Sequence, residues 1–155
     1  MRRNDREIKD INEVISIIDE CDTLRLAINN EGFPYIVPLN YGYRWDGSKI
    51  ELYFHSATEG MKLDLMHKDN RASFEMDQKH SLKTDASRGY CTMMYESVIG
   101  DGFITFIEDY DEKVDALQLI CNHYHREGFV FSKAAVNRTV VYKLTVNEIT
   151  GKRKC

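Results

Sequence analysis

Ile11, Val14, Ile15 and Ile18 recur at helical intervals near the start of the chain, and Asp10 with Glu13 has the spacing of a capping box. The pattern predicts a helix over 10–20 with that apolar face in the core. After Asp22 the period shortens to that of β-structure, predicting strands at 23–28 and 34–43 around a turn at 29–32. A second turn at 46–48 leads into the β-branched and aromatic run 50–54, so these three strands read as an antiparallel meander.

Met61, Leu65 and Met66 mark a short helix over 60–68. Further strands are predicted at 71–76, 90–96, 98–107 and 139–146. The polar stretch 77–88 reads as a mobile loop and 148–155 as a C-terminal tail. A third helix over 109–125 would bury Val114, Leu117, Ile120, Cys121 and Tyr124, with acidic residues in its first turn, where the helix dipole favours them. Strands and helices do not alternate, which disfavours a parallel doubly wound sheet and favours a mainly β domain with peripheral helices.

Composition narrows the class. The chain has 155 residues, 43% hydrophobic and 30% charged, and fits one globular domain spanning 1–155. Its net charge of −4 gives no basic footprint for nucleic acid. Cys21, Cys91, Cys121 and Cys155 include no C-x-x-C pair, so neither a zinc ribbon nor a redox dithiol is expected. The opening charges Arg2, Arg3, Asp5, Arg6 and Glu7 precede no apolar signal-peptide core, and no run approaches the ~20 apolar residues of a membrane span. A cytoplasmic protein without membrane attachment is the expectation.

Candidate chemistry gathers where the 50–54 run ends. Ser56, Thr58, the backbone N–H groups of the following helix and Lys62 could converge on one phosphate. Equally, Ser56 and Glu59 have capping-box spacing, and Lys62 would then be an ordinary helix lysine. His55 is either a half-exposed strand-end side chain or a polar neighbour of a bound group. His123 and His125 lie two apart on a helix and point to different sides, so no metal site is expected. Nucleophile elbows, Walker loops and dinucleotide glycine fingerprints are missing, which fits chemistry carried by a cofactor.

Five blocks, taken in order, resemble one family: MRRNDREI at 1–8, PYIVPLNYGY at 34–43, LYFHSATEGMKLDLM at 52–66, YESVIGDGFITFIED at 95–109 and EITGKRK at 148–154. They look like the pyridoxamine 5′-phosphate oxidase-like flavoproteins, most closely the nitroimidazole-resistance type. The resemblance implies an FMN-binding split barrel, antiparallel, six-stranded and of Greek-key type, forming a homodimer with FMN at the interface. It places the flavin ring along Val37, Pro38, Leu39 and Asn40, and the ribityl chain and phosphate at His55, Ser56, Ala57 and Lys62. The partner subunit's Ser97, Val98 and Ile99 would close over the cofactor.

The implied activity is FMN-dependent reduction of nitroaromatic compounds such as nitroimidazoles, with His55 as the catalytic neighbour and a pyridine nucleotide or other reductant as electron donor. The second reading is a flavin- or haem-binding protein of the same barrel without nitroreductase activity; a third is an interaction module whose strand-end cradle is only a cap. Two departures stand out. Met61 occupies the place where the oxidases commonly carry a basic residue, so one phosphate contact is either missing or supplied elsewhere, by Arg71 or Arg138. The oxidases' C-terminal substrate-binding arginine motif has no clear counterpart, which argues against pyridoxamine phosphate oxidation.

Overall fold

The computed structural model describes residues 4–155; the opening Met1, Arg2 and Arg3 of the first quoted block lie outside them. After a 3-10 turn, Asn4–Arg6, the chain runs β1 (Glu7–Ile8), α1 (Ile11–Glu20), β2 (Leu24–Ile28), β3 (Tyr35–Leu39), β4 (Gly42–Trp45), β5 (Ile50–Ser56), α2 (Met61–Lys68), β6 (Arg71–Asp85), β7 (Tyr90–Ile107), α3 (Tyr110–His123), α4 (Lys133–Asn137) and β8 (Val140–Lys154). The described residues therefore hold eight strands rather than six, all paired antiparallel in the order β3-β2-β6-β7-β8-β5-β4, with β1 added on β8.

That order forces a barrel with a gap. Seven strands laid flat would set the edge strands β3 and β4 about 29 Å apart at the usual inter-strand spacing. Only Asn40 and Tyr41 join them, and the three peptide steps from Leu39 to Gly42 reach at most about 11 Å. The sheet must curl until its edges nearly meet. No ladder pairs them, so the barrel is split there. The segment 34–43 is accordingly two strands rather than one, and the expected meander is broken between β3 and β4.

Tyr41 explains the break. It is fully buried, with its hydroxyl 2.5 Å from the Ile18 carbonyl and 2.9 Å from that of Cys21. The link between the sheet edges thus closes the C-terminal end of α1, where backbone carbonyls lack helical partners. Asp10 caps the other end by accepting from the Asn12 N–H at 2.9 Å. Glu13 does not complete a capping box; its carboxylate pairs with Arg153. The buried face of α1 is Val14, Ile17 and Ile18, whereas Ile11 is exposed.

Inside the barrel, Leu24, Leu26, Leu52, Phe54, Phe74, Met76, Val98, Tyr142 and Leu144 form one apolar cluster with α1. A second cluster sits outside, where Ala116, Leu117 and Ile120 of α3 cover Tyr53, Ile107 and Val141. Covered on both faces, β5 is buried from Ile50 through Phe54 and reads as a continuous run rather than an alternating one.

Residues 77–88, expected to be a mobile loop, are mostly strand: β6 continues to Asp85, and β7 begins at Tyr90 and runs unbroken through 97. Away from the barrel this hairpin has no core to face, so the apolar alternation that reveals a strand fades while the backbone ladder persists. Nor are residues 148–154 a loose tail; they complete β8, pairing with β7 through Tyr95↔Lys154 and with β1 through Glu7↔Lys152.

Candidate functional site

His55 and Ser56 end β5, and a short exposed turn leads to Gly60, whose φ of +149° opens α2 without any side-chain cap. The Ser56 hydroxyl donates to the Ala57 carbonyl at 3.0 Å, so the Ser56–Glu59 capping box does not form. The N–H groups of Leu63 and Asp64 turn back to the Gly60 carbonyl, while those of Met61 and Lys62 face outward with the positive end of the helix dipole behind them. Lys62 is half-buried, and its ammonium has no hydrogen bond or ion pair among the described residues. His55 is exposed, yet partial burial first and the Lys62 charge second pull its imidazole below its ordinary range. At neutral pH it is uncharged and can donate one N–H.

These are donors an anionic group needs: free main-chain N–H groups, an unpaired ammonium and a neutral imidazole, with the Ser56 hydroxyl able to turn from the Ala57 carbonyl. They fit the phosphate end of a nucleotide cofactor.

The two other arginines raised for this role part company. Arg71 grips Asp69 with Nε at 2.9 Å and Nη2 at 2.7 Å, beyond the far end of α2 from Lys62. Arg138 caps α4 just before Val140, the register partner of Ser56, and its exposed side chain has no hydrogen bond or ion pair.

Across the split, β3 pairs only with β2 and leaves its other edge open. On it Val37 is half-buried, Pro38 exposed and Leu39 buried, and Asn40 beyond it is exposed. The β4–β5 ladder starts at Gly42↔Tyr53, so Asn40 lies in the unpaired link before it.

Ser97, Val98 and Ile99 lie elsewhere. His55 pairs with Val141 of β8 and Ile99 with Thr150, a separation of about 30 Å of strand. One copy of the chain does not bring them to the corner. Ser97 is half-buried, Val98 buried and Ile99 53% exposed.

Among the described residues no group of three or more His, Cys, Asp or Glu could hold a metal ion. His123 packs inside, its ring 4.4 Å from that of Tyr41 and its Nε2 2.8 Å from the Cys21 carbonyl; His125 is exposed. All four cysteines are free, and burial pushes the Cys21 thiol up to about 12. No described helix is long and apolar enough to cross a membrane.

Sequence reasoning missed two buried carboxylates. Burial alone would raise the Glu51 carboxyl, but Lys143 at 2.7 Å, Tyr53 at 2.8 Å and Lys49 at 3.1 Å bring it down to about 2. Glu96 is likewise held low against burial by Lys79, Arg153 and Gln78. Their partners are distant in sequence, and no local pattern marks them.

The described chain is an antiparallel barrel split between β3 and β4. The profile described as pyridoxamine 5′-phosphate oxidase matches residues 10–153, and the chain belongs to that flavin-binding family. Among solved structures it is similar to a candidate 5-nitroimidazole antibiotic resistance protein from Bacteroides thetaiotaomicron, at 35% identity over 94% of this chain and 85% of that one, with a TM-score of 0.84. The flavocytochrome Anf3 from Azotobacter vinelandii shares the fold at 17% identity, 100% and 72% coverage and a TM-score of 0.80. So does the FAD and heme binding protein from Mycobacterium smegmatis, at 15% identity, 96% and 73% coverage and 0.79. No curated protein matches the chain.

Proposed function

We propose that the chain is an FMN-dependent oxidoreductase that reduces nitroaromatic compounds of the nitroimidazole kind. The observation carrying this reading is the unpaired Lys62 ammonium at the uncapped start of α2, beside a neutral His55. Lys62, Ser56 and the free N–H groups of Met61 and Lys62 hold the phosphate, with Arg138 as the second cation. Val37, Pro38, Leu39 and Asn40 line the ring, and backbone groups of the open β3 edge meet its polar rim.

The 35% identical neighbour, named for 5-nitroimidazole antibiotic resistance, supports the substrate class. The phosphate cradle supports a phosphate-bearing flavin, and FMN is the flavin of this reading. The electrons a nitro group accepts come from bound FMN that an external donor, such as a pyridine nucleotide, has reduced. His55 supplies a hydrogen-bond donor beside the ring.

The active unit is a homodimer, because Ser97, Val98 and Ile99 reach the corner only from a second copy. The protein works in the cytoplasm as a single domain. An anaerobic assay of FMN-loaded protein with a reduced donor and a nitroimidazole tests the reading: loss of the nitro absorbance supports it. A reduced flavin that the nitro compound cannot reoxidise contradicts it, and a Soret band in the purified protein would instead point to haem.

A further inference from the structure

The hairpin of β6 and β7 outgrows the barrel. β2 pairs with β6 only as far as Glu75, and β8 reaches β7 only as far as Tyr95, so residues 79–94 form a two-stranded ribbon. Its tip is a tight turn in which the Asp85 carboxylate accepts from the Ser87 and Arg88 N–H groups at 3.0 and 3.1 Å. Such a ribbon alone is at best marginally stable in water. It nevertheless carries Leu82 and Met93 as direct register partners, 62% and 46% exposed. Even-numbered residues of β7 from Glu96 to Ile104 point inward, and the odd-numbered ones continue this apolar line along the outer face through Ile99 and Phe103.

The root of the ribbon is fixed in direction. At the irregularity between Gln78 and Ser81, Lys79 takes a left-handed φ of +54°, which a non-glycine residue adopts only under constraint. Its ammonium bridges Glu20 of α1 at 2.8 Å and the buried Glu96 at 3.1 Å. Arg153 of β8 holds Glu96 from the other side at 2.6 Å. A buried carboxylate with three partners and a bulge hold this segment in one orientation, unlike a free loop.

Charge separates the ribbon from the rest. Lys79 is already held by Glu20 and Glu96; residues 80–95 carry Lys83 and Arg88 against Asp85, a net of +1, whereas the whole chain is −4, which leaves the rest at −5. The ribbon is thus complementary to the body of another molecule like its own. We propose that it is an arm that clasps a second copy of this chain, burying Leu82 and Met93 against the partner together with the exposed Ile99 and Phe103.

The proposal rests on the homodimer reading and goes beyond it by naming the segment that holds the pair together. Cys91, exposed in the single chain, occupies the same ribbon face as Met93, and Cys155 is also exposed. The test combines sedimentation equilibrium with timed alkylation read by mass spectrometry. Wild-type protein is expected to be dimeric, with Cys91 alkylated at least about tenfold more slowly than Cys155.

The double variant Leu82→Glu, Met93→Glu is expected to weaken the dimer by at least about tenfold, since apolar anchors at an interface carry most of its energy. It should also bring Cys91 up to the rate of Cys155. Excision of residues 82–93, joining Ser81 to Met94 through an Asn-Gly turn, should give the same dissociation with an unchanged barrel far-ultraviolet spectrum. A wild-type dimer with freely reactive Cys91, unaltered in strength by both changes, overturns the arm and leaves the homodimer standing. A monomeric wild type overturns both.

Discussion

Lys62 stands at the open end of a helix with no hydrogen bond or ion pair among the described residues. Each charge-assisted bond to a phosphate contributes roughly 1.5–3 kcal/mol. Lys62→Ala should therefore weaken FMN binding by on the order of ten- to a hundredfold in a fluorescence titration. Unchanged binding would return Lys62 to the role of a plain helix lysine. His55→Ala should keep the flavin spectrum and lower nitro turnover by about a hundredfold; undiminished turnover would remove His55 from the chemistry without touching the cofactor site.

Glu51 offers a pH test independent of function. A carboxyl held at about 2 in the folded chain, against an ordinary 4.5, binds protons less tightly folded than unfolded. Its contribution is complete above about pH 4.5 and is lost as the pH falls towards 2. Thermal melts should show the wild type losing stability across that window. Glu51→Gln should melt lower at neutral pH, because Lys143 loses its carboxylate partner, and show a flatter acid limb. Parallel curves for the two proteins would contradict the assignment.

Among the elements, contact between α3 and β4 is set by Gly42. A Cβ there would lie 2.5 Å from the Ile120 nitrogen and from the Leu119 carbonyl carbon, both main-chain atoms of α3. Gly42→Ala must push the helix away, at a cost of about 1–3 kcal/mol, or roughly 2–12 °C in Tm for a chain of this size. An unchanged melting temperature would mean that α3 is not seated as described.

Elements that bury one regular face were legible in the sequence, and so was the continuous run of β5: α1, α2, α3, β2 and β5 fall within a few residues of their expected spans. The turn at 46–48 was too, because Asp46 accepts from the Ser48 and Lys49 N–H groups. What escaped were features decided by distant partners. The break at Asn40 and Tyr41 depends on α1 receiving the Tyr41 ring, and the arm's strands show no apolar rhythm because no barrel core lies beneath them. Within the site, His55, Ser56 and Lys62 were readable as a strand-turn-helix unit. The isolation of Ser97, Val98 and Ile99 follows only from strand register along β8, which no local pattern encodes.

Over the whole molecule, the sheet order and the two-residue link between its edges produce a split barrel with an open edge on β3. The third group of site residues, about 30 Å away along the strand, makes a second copy part of the reading, and the β6–β7 arm supplies a means of holding it. The central claim is that this arrangement binds FMN. The most direct test is the near-ultraviolet and visible absorption spectrum of protein purified without added cofactor, followed by mass analysis of what heat releases. A flavin spectrum with FMN released is the expected result. A colourless protein that also fails to take up added FMN would contradict the claim and leave the corner at Lys62 without its cofactor.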